Sequence, residues 1–219
     1  HPHVRAVVLH ADGPMFSAGI DVMSLMMSRA ALGDGNVSRW LRRFAEDLQH
    51  ALYRIEQTEV PVIAALHGKV LGLGLELALA ADFRVATEDC ILALPETRLG
   101  LIADVGGTTR LTKLIGPSRT KDMLMTAREL DTREALEWGL INRVGPHVET
   151  AEALARQIAQ NAPLAVGLSK YVVDHGDGVD RGTQMAIERL AQSLLVASED
   201  LGEAMGAFME KRKPEFKGR

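Results

Sequence analysis

Three carboxylic acids, Glu76, Glu96 and Asp104, each stand beside glycines at the ends of predicted core elements. Glu76 is the only charged residue in the apolar segment LGLELALA, residues 73–80. A carboxylate in such a segment is costly unless it is paired, solvated by a cavity or functional. Acids that share an apolar cleft raise one another's pKa, so that one stays protonated while another is ionised. The three acids therefore predict general acid–base chemistry.

The segment that carries Glu76, Pro61–Asp82, has β-branched residues at its start, glycines at positions 68, 72 and 74, and then strong helix formers. This pattern predicts a buried strand, a tight turn and a buried helix. The free N–H groups at the N-terminus of that helix would suit an oxyanion or a phosphate. The plainer alternative is a strand–helix connection whose glutamate caps its own helix. Leu77 stands where a dinucleotide-binding fingerprint needs its third glycine, which excludes that class.

The sequence lacks the residues that other kinds of functional site require. No histidine stands at ligand spacing to the three acids, so a metal site is not indicated. His67 follows the buried strand and is interpreted as a structural histidine. The chain has neither the lysine motif of a phosphate-binding loop nor a G-x-S-x-G nucleophile motif. We therefore expect no metal and no redox cofactor.

Composition sets broad bounds on function. The chain has 219 residues, of which 47% are hydrophobic and 25% charged, with a net charge of −4. These values are typical of a globular enzyme and indicate no general affinity for nucleic acid or anionic membranes. The single cysteine, Cys90, allows no disulfide within one chain and fits a reducing cytosol. No stretch predicts a transmembrane helix or a signal peptide. Because the first predicted strand, Val4–Leu9, begins almost at once, we expect that an upstream segment is missing.

The order of predicted elements is typical of an α/β core followed by helices. Strands are predicted at residues 4–9, 60–63, 83–86, 91–94 and 140–144. Helices are predicted after an N-cap at Asp21 and at residues 39–55, 109–115, 121–126, 132–138, 152–161, 163–175 and 181–209. A flexible loop is predicted at Gly33–Asn36. The cluster of Met23, Leu25, Met26 and Met27 is interpreted as core packing, with a soft acyl-binding wall as the alternative. The basic C-terminal segment EKRKPEFKGR favours a solvated tail.

Three motifs resemble the crotonase (enoyl-CoA hydratase/isomerase) superfamily. They are FSAGID at Phe16–Asp21, AALHGKVLGLGLELALAADFRVA at Ala64–Ala86, and LPETRLGLIADVGGTTRLTKLIG at Leu94–Gly116. Their order and spacing match the family, including the separation of twenty residues between Glu76 and Glu96. The resemblance continues to the closing FMEKRKPEFKGR and covers essentially the whole chain.

The resemblance implies an α/β fold, the crotonase-like spiral of ββα units with a C-terminal helical oligomerisation region. On this basis residues 1–145 form the α/β core, without the N-terminal segment usual in the family, and residues 146–219 form the helical region. Members of the family form trimers that usually stack into hexamers. We therefore expect a homotrimer or homohexamer that binds an acyl-CoA thioester and neither nucleic acid nor membrane.

The resemblance also implies roles for single residues. The backbone N–H groups of Ala18 and Leu73 correspond to the two oxyanion-hole donors that bind the thioester oxygen, and Leu73 replaces the glycine of most relatives. Glu76 and Glu96 correspond to the glutamates that hold and activate water in enoyl-CoA hydratases. The resemblance assigns further residues to binding of the substrate and its coenzyme A moiety: Gly19, Ile20, Asp21, Gly74, Phe216 and Lys217. Coenzyme A arrives as part of the substrate, so no separate cofactor is implied.

Asp104 keeps a second activity open. It stands where hydratases usually have glycine, and it resembles the aspartate of the dienoyl-CoA isomerase branch, which shuttles a proton with the glutamate matching Glu96. That branch, however, usually has aspartate at the position of Glu76. We therefore expect a cytoplasmic enzyme that adds water to a 2-enoyl-CoA in fatty-acid β-oxidation. The alternative is isomerisation of a 3,5-dienoyl-CoA to the 2,4-isomer, and a second alternative is a catalytically weak acyl-CoA-binding scaffold.

Overall fold

The computed structural model describes residues 3–32 and 34–219. Within these residues the strands are β1 (Val7–Leu9), β2 (Val62–Leu66), β3 (Lys69–Leu71), β4 (Phe83–Ala86), β5 (Ile91–Ala93), β6 (Leu130–Asp131) and β7 (Arg143–Val144). The α-helices are α1 (Val22–Leu32), α2 (Asp34–Glu56), α3 (Leu73–Leu79), α4 (Gly107–Thr126), α5 (Thr132–Trp138), α6 (His147–Ala159), α7 (Pro163–Gly176), α8 (Arg181–Val196) and α9 (Glu199–Glu210). A short 3-10 helix covers Glu96–Leu99. None of the helices in the described residues is long and apolar enough to cross a membrane.

The strands form two small sheets. The first has the order β1-β2-β4-β7, in which β4 runs parallel to both β2 and β7. The second has the order β3-β5-β6, with β3 parallel to β5 and β5 antiparallel to β6. Every residue of β2 is buried, as the continuous apolar run predicts for a parallel strand covered on both faces. The predicted α/β class is confirmed.

Several predicted elements differ from the structure. Residues 34–36 belong to the start of α2 and not to a loop, and Gly33 of the predicted loop lies outside the described residues. The last strand is only Arg143–Val144, and α6 begins at His147, earlier than predicted. The short strands β3 and β6 were not predicted, because two or three residues carry too little pattern to detect.

Two helix boundaries depend on single residues. The single helix predicted over 181–209 is wrong: Ser198 accepts a hydrogen bond from the Leu201 N–H and starts α9 as its N-cap. The two helices predicted at 109–115 and 121–126 are merged as α4, which is kinked at Gly116, where φ is 79°, immediately before Pro117. Proline lacks the N–H that an unbroken helix would need at that point.

By its internal contacts the described chain divides into two compact units. One unit contains the N-terminal residues up to Val7, then Gln57–Val62 and Glu152–Arg219. The other contains Val8–Glu56 and Ile63–Ala151 and carries all three acids singled out in the sequence. The predicted domain boundary between residues 145 and 146 stays a prediction.

The backbone of the C-terminal tail is held against α9, although most of the tail is exposed, as the interpretation as a solvated tail requires. The carboxylate of Asp200, which is buried, accepts hydrogen bonds from the backbone N–H groups of Lys217 (2.7 Å) and Gly218 (2.9 Å). In return, the Arg219 carbonyl accepts from the N–H of Glu199 at 2.8 Å, at the start of α9. The N–H donors at a helix N-terminus that lack intrahelical partners are thus partly satisfied by the tail.

The single cysteine is deeply buried. Cys90 follows the turn after β4, and its carbonyl accepts a hydrogen bond from the Thr132 hydroxyl at 3.0 Å. Burial, with a smaller effect from the neighbouring Asp89 charge, raises the pKa of the Cys90 thiol to about 12. The thiol is therefore protonated, and poorly nucleophilic, at neutral pH.

Candidate active site

The segment that contains Ala18 runs alongside β3. Ser17 forms an isolated parallel bridge with Val70, in which the Ser17 N–H donates to the Lys69 carbonyl (3.2 Å) and the Leu71 N–H donates to the Ser17 carbonyl (2.9 Å). These bonds place Ala18 beside the end of β3, where the chain turns into α3.

Two glycines allow this close approach. A Cβ on Gly19 would lie 2.8 Å from the Leu71 carbonyl oxygen and 3.3 Å from the Leu73 nitrogen. A Cβ on Gly74 would lie 2.5 Å from the Cβ of Ser17. Real Cβ atoms essentially never approach a backbone atom or a neighbouring Cβ this closely, so glycine is required at both positions. The predicted substrate-binding glycines thus hold the two segments in contact.

The N–H groups of Ala18 and Leu73 are free donors in the described part of the chain, since neither donates to a protein acceptor there. Leu73 is the first residue of α3, where an N–H has no intrahelical partner. Gly72 before it takes the left-handed φ of 54°, whereas Leu73 itself does not have a positive φ. Leucine therefore replaces the usual glycine at position 73 without backbone strain and keeps the donor.

Glu76 lies one turn into α3 with only 2% of its surface exposed. Its Oε1 atom accepts two hydrogen bonds of 2.8 Å, from the N–H groups of Val105 and Gly107. Burial nevertheless raises the pKa of Glu76 to about 7, because it outweighs those two bonds, and the charges of Glu96 and Asp104 raise it further. A Cβ on Gly107 would lie 2.8 Å from Oε1, so glycine is needed there too.

The loop that binds Glu76 is itself anchored by α2. The Arg110 guanidinium donates to the Val105 carbonyl at 2.8 Å and forms a two-pronged ion pair with Glu56, at 2.7 and 2.9 Å. Gln49 donates its side-chain amide to the Asp104 carbonyl at 2.5 Å. The role of Arg110 was not predicted, and the only signal for it in the sequence is its position one turn after the paired glycines, Gly106 and Gly107.

A second arginine, Arg84, is buried and fixes the other end of α3. Arg84 of β4 is 2% exposed and donates to the carbonyls of Ala81 (2.7 Å), Leu140 (2.7 Å) and Ala78 (3.4 Å). Burial lowers the pKa of Arg84 to about 10, so the side chain stays charged at neutral pH. A cation at a helix C-terminus is favoured by the helix dipole, and here it holds the helix that carries Glu76.

Glu96 begins the 3-10 helix after β5 and is half-buried. Its Oε2 atom is buried and accepts no hydrogen bond from the residues that the structure describes. Its Oε1 atom lies 2.8 Å from where a Cβ on Gly72 would be, next to the start of α3. Burial raises the pKa of Glu96, and the charge of Asp104 raises it as well. Glu96 thus offers a carboxylate oxygen that is free to accept a proton.

Asp104 is exposed and precedes the loop that binds Glu76. Its charge raises the pKa of both glutamates, so the structure brings the three predicted acids into one electrostatic cluster. Of the three, Glu96 alone is among the residues that line the adjacent cavity.

That cavity has a volume of about 340 Å³. Its wall contains Ala18 and Leu73 and is otherwise mostly apolar, with residues from α1 (Val22, Leu25, Met26 and Arg29) and from α2 (Val37, Trp40 and Leu41). No residue of α1 with a described side chain is buried, so the interpretation of its methionine cluster as core packing is wrong. Of the cluster, Leu25 and Met26 line the cavity, and the alternative of an acyl-binding wall stays a prediction.

The other predicted binding residues are spread more widely. Gly19 and Ile20 line the cavity, whereas Asp21 caps α1 by accepting from the Met23 N–H at 3.0 Å. Phe216 and Lys217 belong to the other compact unit. Their assignment to coenzyme A, like every role carried over from the resemblance, stays a prediction.

His67 is held as a structural residue would be. Its Nε2 atom lies 3.0 Å from the Gly13 carbonyl, and its ring stacks on His147 at a centroid distance of 4.4 Å. Among the residues that the structure describes, no three histidine, cysteine, aspartate or glutamate side chains are grouped so that they could hold a metal ion.

This architecture recurs in solved enzymes. An enoyl-CoA hydratase from Bacillus anthracis superposes with a TM-score of 0.90 at 38% sequence identity, covering 98% of this chain and 82% of that one. The crotonase fold predicted from the motifs is thus confirmed, and it is shared with this solved enoyl-CoA hydratase. The predicted role of the C-terminal helices in oligomerisation stays a prediction.

Sequence comparison gives the family. The enoyl-CoA hydratase/isomerase family matches residues 1–219. The short-chain-enoyl-CoA hydratase of Clostridium acetobutylicum is 38% identical over 221 residues, covering 99% of this chain and 82% of the relative. The enoyl-CoA isomerase/hydratase fer4 of Mycosarcoma maydis is 36% identical over 222 residues, covering 100% of this chain and 78% of the relative. The chain belongs to the enoyl-CoA hydratase/isomerase family, a family of lyases and isomerases.

Replacing Glu76 with glutamine should stabilise the protein at neutral pH. The pKa of a glutamate is ordinarily 4.5, whereas that of folded Glu76 is about 7. Between these values the folded state binds more protons than the unfolded state, so the wild type loses stability as the pH rises through this window. Glutamine keeps an oxygen for the Val105 and Gly107 N–H groups but does not ionise.

The free energy of unfolding of Glu76→Gln, relative to that of the wild type, should therefore rise by about 3 kcal/mol between the two pKa values. Urea denaturation at pH values on both sides of the window measures this difference. A difference that stays constant with pH would contradict the raised pKa.

Proposed function

We propose that the protein catalyses the addition of water to a 2-enoyl-CoA. The observation that carries this proposal is an apolar cavity that is lined by the half-buried Glu96 and by Ala18 and Leu73, whose backbone N–H groups are free. The buried Glu76 lies behind it, and both glutamates have a raised pKa. A glutamate pKa of about 7 suits a group that must both accept and donate a proton at neutral pH. In a breakdown pathway for fatty acids, this would be the hydration step of β-oxidation.

The Ala18 and Leu73 N–H groups would bind the thioester oxygen. As water adds to C3, negative charge develops on that oxygen, and each N–H donor lowers the barrier by about 3 kcal/mol. The free N-terminal end of α3 adds the favourable field of its dipole. The apolar wall of the cavity excludes bulk water and strengthens both interactions.

The two glutamates would move the protons. In this proposal Glu96, whose Oε2 atom accepts no hydrogen bond from the described residues, takes a proton as the water oxygen bonds to C3. Glu76 would help to hold the water with the carboxylate oxygen that does not bind the loop. Glu96 then gives a proton to C2, so one O–H bond and the C2–C3 π bond break while one C–O and one C–H bond form. The reaction consumes water and the enoyl thioester only.

A double-bond isomerase is the second candidate, because the Asp104 charge acts on Glu96. In that reaction one acid removes a proton from the chain and the other returns it two or four carbons away. The names of relatives include both activities, as in the isomerase/hydratase of Mycosarcoma maydis. We place hydration first because Glu76 and Glu96 form the complete glutamate pair. Binding of acyl-CoA without turnover is the remaining alternative.

Asp104→Gly separates the two activities. If the enzyme is a hydratase, the variant should keep or improve the hydration of crotonyl-CoA, because it loses only a neighbouring charge. If it is an isomerase, isomerisation of a 3,5-dienoyl-CoA should fall by roughly 100- to 10,000-fold, since the partner of Glu96 is gone. Both substrates are assayed on the wild type, on Asp104→Gly and on Asp104→Asn, which removes the charge alone.

The hydratase proposal fails if the wild type does not hydrate crotonyl-CoA while Asp104→Gly abolishes a robust isomerase activity. It also fails if the wild type binds an acyl-CoA but converts neither substrate.

We also propose a cytoplasmic homotrimer or homohexamer. Large apolar side chains of α8 and α9 stand exposed, among them Leu190 (67%), Leu194 (66%) and Phe208 (83%). Such side chains are more common at interfaces between subunits than on monomers. Phe216 and Lys217 are proposed to contact the coenzyme A moiety.

A further inference from the structure

The cavity that would hold the acyl chain has one feature that hydration does not need. Its lining includes two charged side chains, Glu96 and Arg29. Glu96 belongs to the proposed chemistry. Arg29 has no part in it. It is an exposed residue that shares the cavity lining with apolar residues such as Met26 and Val37.

The periodicity of α1 shows where Arg29 stands. The residues of α1 that line the cavity are Val22, Leu25, Met26 and Arg29, a spacing of three, four and seven that defines one helix face. Val22 follows directly on the loop that contains Ala18. Arg29 lies seven residues further, which is roughly 10 Å along the helix axis. The cavity therefore offers an apolar wall that starts at the thioester-binding loop and ends at a cation.

Residues of α2 form a second, mostly apolar part of the cavity wall. Val37, Trp40 and Leu41 of α2 line the cavity, and Trp40 is fixed by stacking on Phe44 at a centroid distance of 5.4 Å. Because α1 ends at Leu32 and α2 begins at Asp34, the first turn of α2 adjoins the end of α1 that carries Arg29. An acyl chain that extends between these walls would contact the Arg29 guanidinium beyond the apolar part of the cavity.

We propose that the substrate is a 2-enoyl-CoA whose acyl chain ends in a carboxylate, and that Arg29 binds this carboxylate. A methyl-terminated chain gains no attraction from the guanidinium, which stays hydrated because Arg29 is exposed. A carboxylate forms a two-pronged, charge-assisted pair with it, which arginine makes better than lysine does. This substrate class rests on the proposed function, since it assumes that the acyl chain occupies the cavity.

The anion could also be a phosphate of the coenzyme A moiety, because the same guanidinium geometry recognises both groups. The two sources differ in one respect. A phosphate is present in every acyl-CoA, whereas a terminal carboxylate is present only in the proposed substrates. Crotonyl-CoA therefore serves as the reference, since it carries the phosphates but no terminal carboxylate.

The test compares kcat/KM for thioesters of increasing chain length, each made with a terminal carboxylate and with a terminal methyl group. At the matching length the wild type should prefer the carboxylate by roughly 10- to 100-fold, as expected for a charged hydrogen-bonded pair. Arg29→Met should lose this preference, because kcat/KM should fall far more for the carboxylate-terminated thioester than for crotonyl-CoA. Arg42→Met is the matched control, because Arg42 is exposed on α2 and does not line the cavity.

Two results would overturn the proposal. One is a wild type that prefers the methyl-terminated thioester at every length. The other is an Arg29→Met variant that loses the same factor on every substrate, crotonyl-CoA included, which would assign Arg29 to a coenzyme A phosphate.

A binding measurement tests the role of Arg29 independently of the proposed hydration reaction. If no thioester is hydrated, the hydratase function fails. Calorimetric titration with the saturated thioesters, carboxylate-terminated and methyl-terminated, then still decides the role of Arg29. Tighter binding of the carboxylate form by the wild type, lost in Arg29→Met, supports it, and equal binding contradicts it.

Discussion

Replacing Glu96 with glutamine is expected to lower kcat for the hydration of crotonyl-CoA by roughly 100- to 10,000-fold. Glu96 lines the cavity, and its carboxylate is the group proposed to take a proton from water. Glutamine fills nearly the same space but can neither accept that proton nor return one. The loss of the enoyl thioester's ultraviolet absorbance measures the rate directly.

The matched control is Glu137→Gln on α5, where the glutamate side chain is 61% exposed and pairs with Arg133. A surface ion pair of this kind contributes little, so activity should stay within about twofold of the wild type. Circular dichroism and urea denaturation check that both variants fold. If Glu96→Gln retains more than about a tenth of the wild-type kcat, Glu96 does not transfer the proton in the rate-limiting step.

Leu73→Pro is expected to lower kcat by roughly 100- to 1,000-fold, because it removes one backbone N–H donor from the proposed oxyanion hole. Proline suits this position structurally. Leu73 is the first residue of α3, where proline is favoured because its fixed φ matches the helix and no intrahelical bond is lost. The residue before it is Gly72, which has no Cβ to clash with the proline ring.

Leu73→Ala separates the backbone from the side chain. It removes the leucine side chain from the cavity wall but keeps the N–H, so kcat should change far less than in Leu73→Pro. Both variants are assayed with crotonyl-CoA at saturation. Equal losses in the two variants would show that the side chain matters and that the N–H does not stabilise the transition state.

The parts of the site that the sequence predicts well are those with a strong local signal. Glu76 is conspicuous because one charge interrupts an apolar run, and β2 because its residues are apolar without interruption. The assignment of the Ala18 and Leu73 N–H groups as oxyanion-hole donors depends on the order of motifs along the whole chain. Local pattern and motif order together therefore predict the α/β class and the acids of the cluster.

The parts that the sequence does not predict depend on contacts between distant residues. Arg84 and Arg110 are charged residues in ordinary-looking segments, and their partners are carbonyls and a carboxylate elsewhere in the chain. The interpretation of Leu25 and Met26 as core residues is wrong for a related reason. An apolar residue that lines a cavity and one that packs in a core look the same in sequence, and only the position of α2 separates them.

The buried state of Cys90 makes the protein convenient for site-specific labelling. Its protonated and inaccessible thiol should not react with a maleimide at neutral pH, so no cysteine has to be removed first. A single cysteine introduced at Met27, which is 69% exposed and does not line the cavity, would then carry the only dye. The fluorescence anisotropy of that dye would report in solution whether α1 becomes more rigid when an acyl-CoA enters.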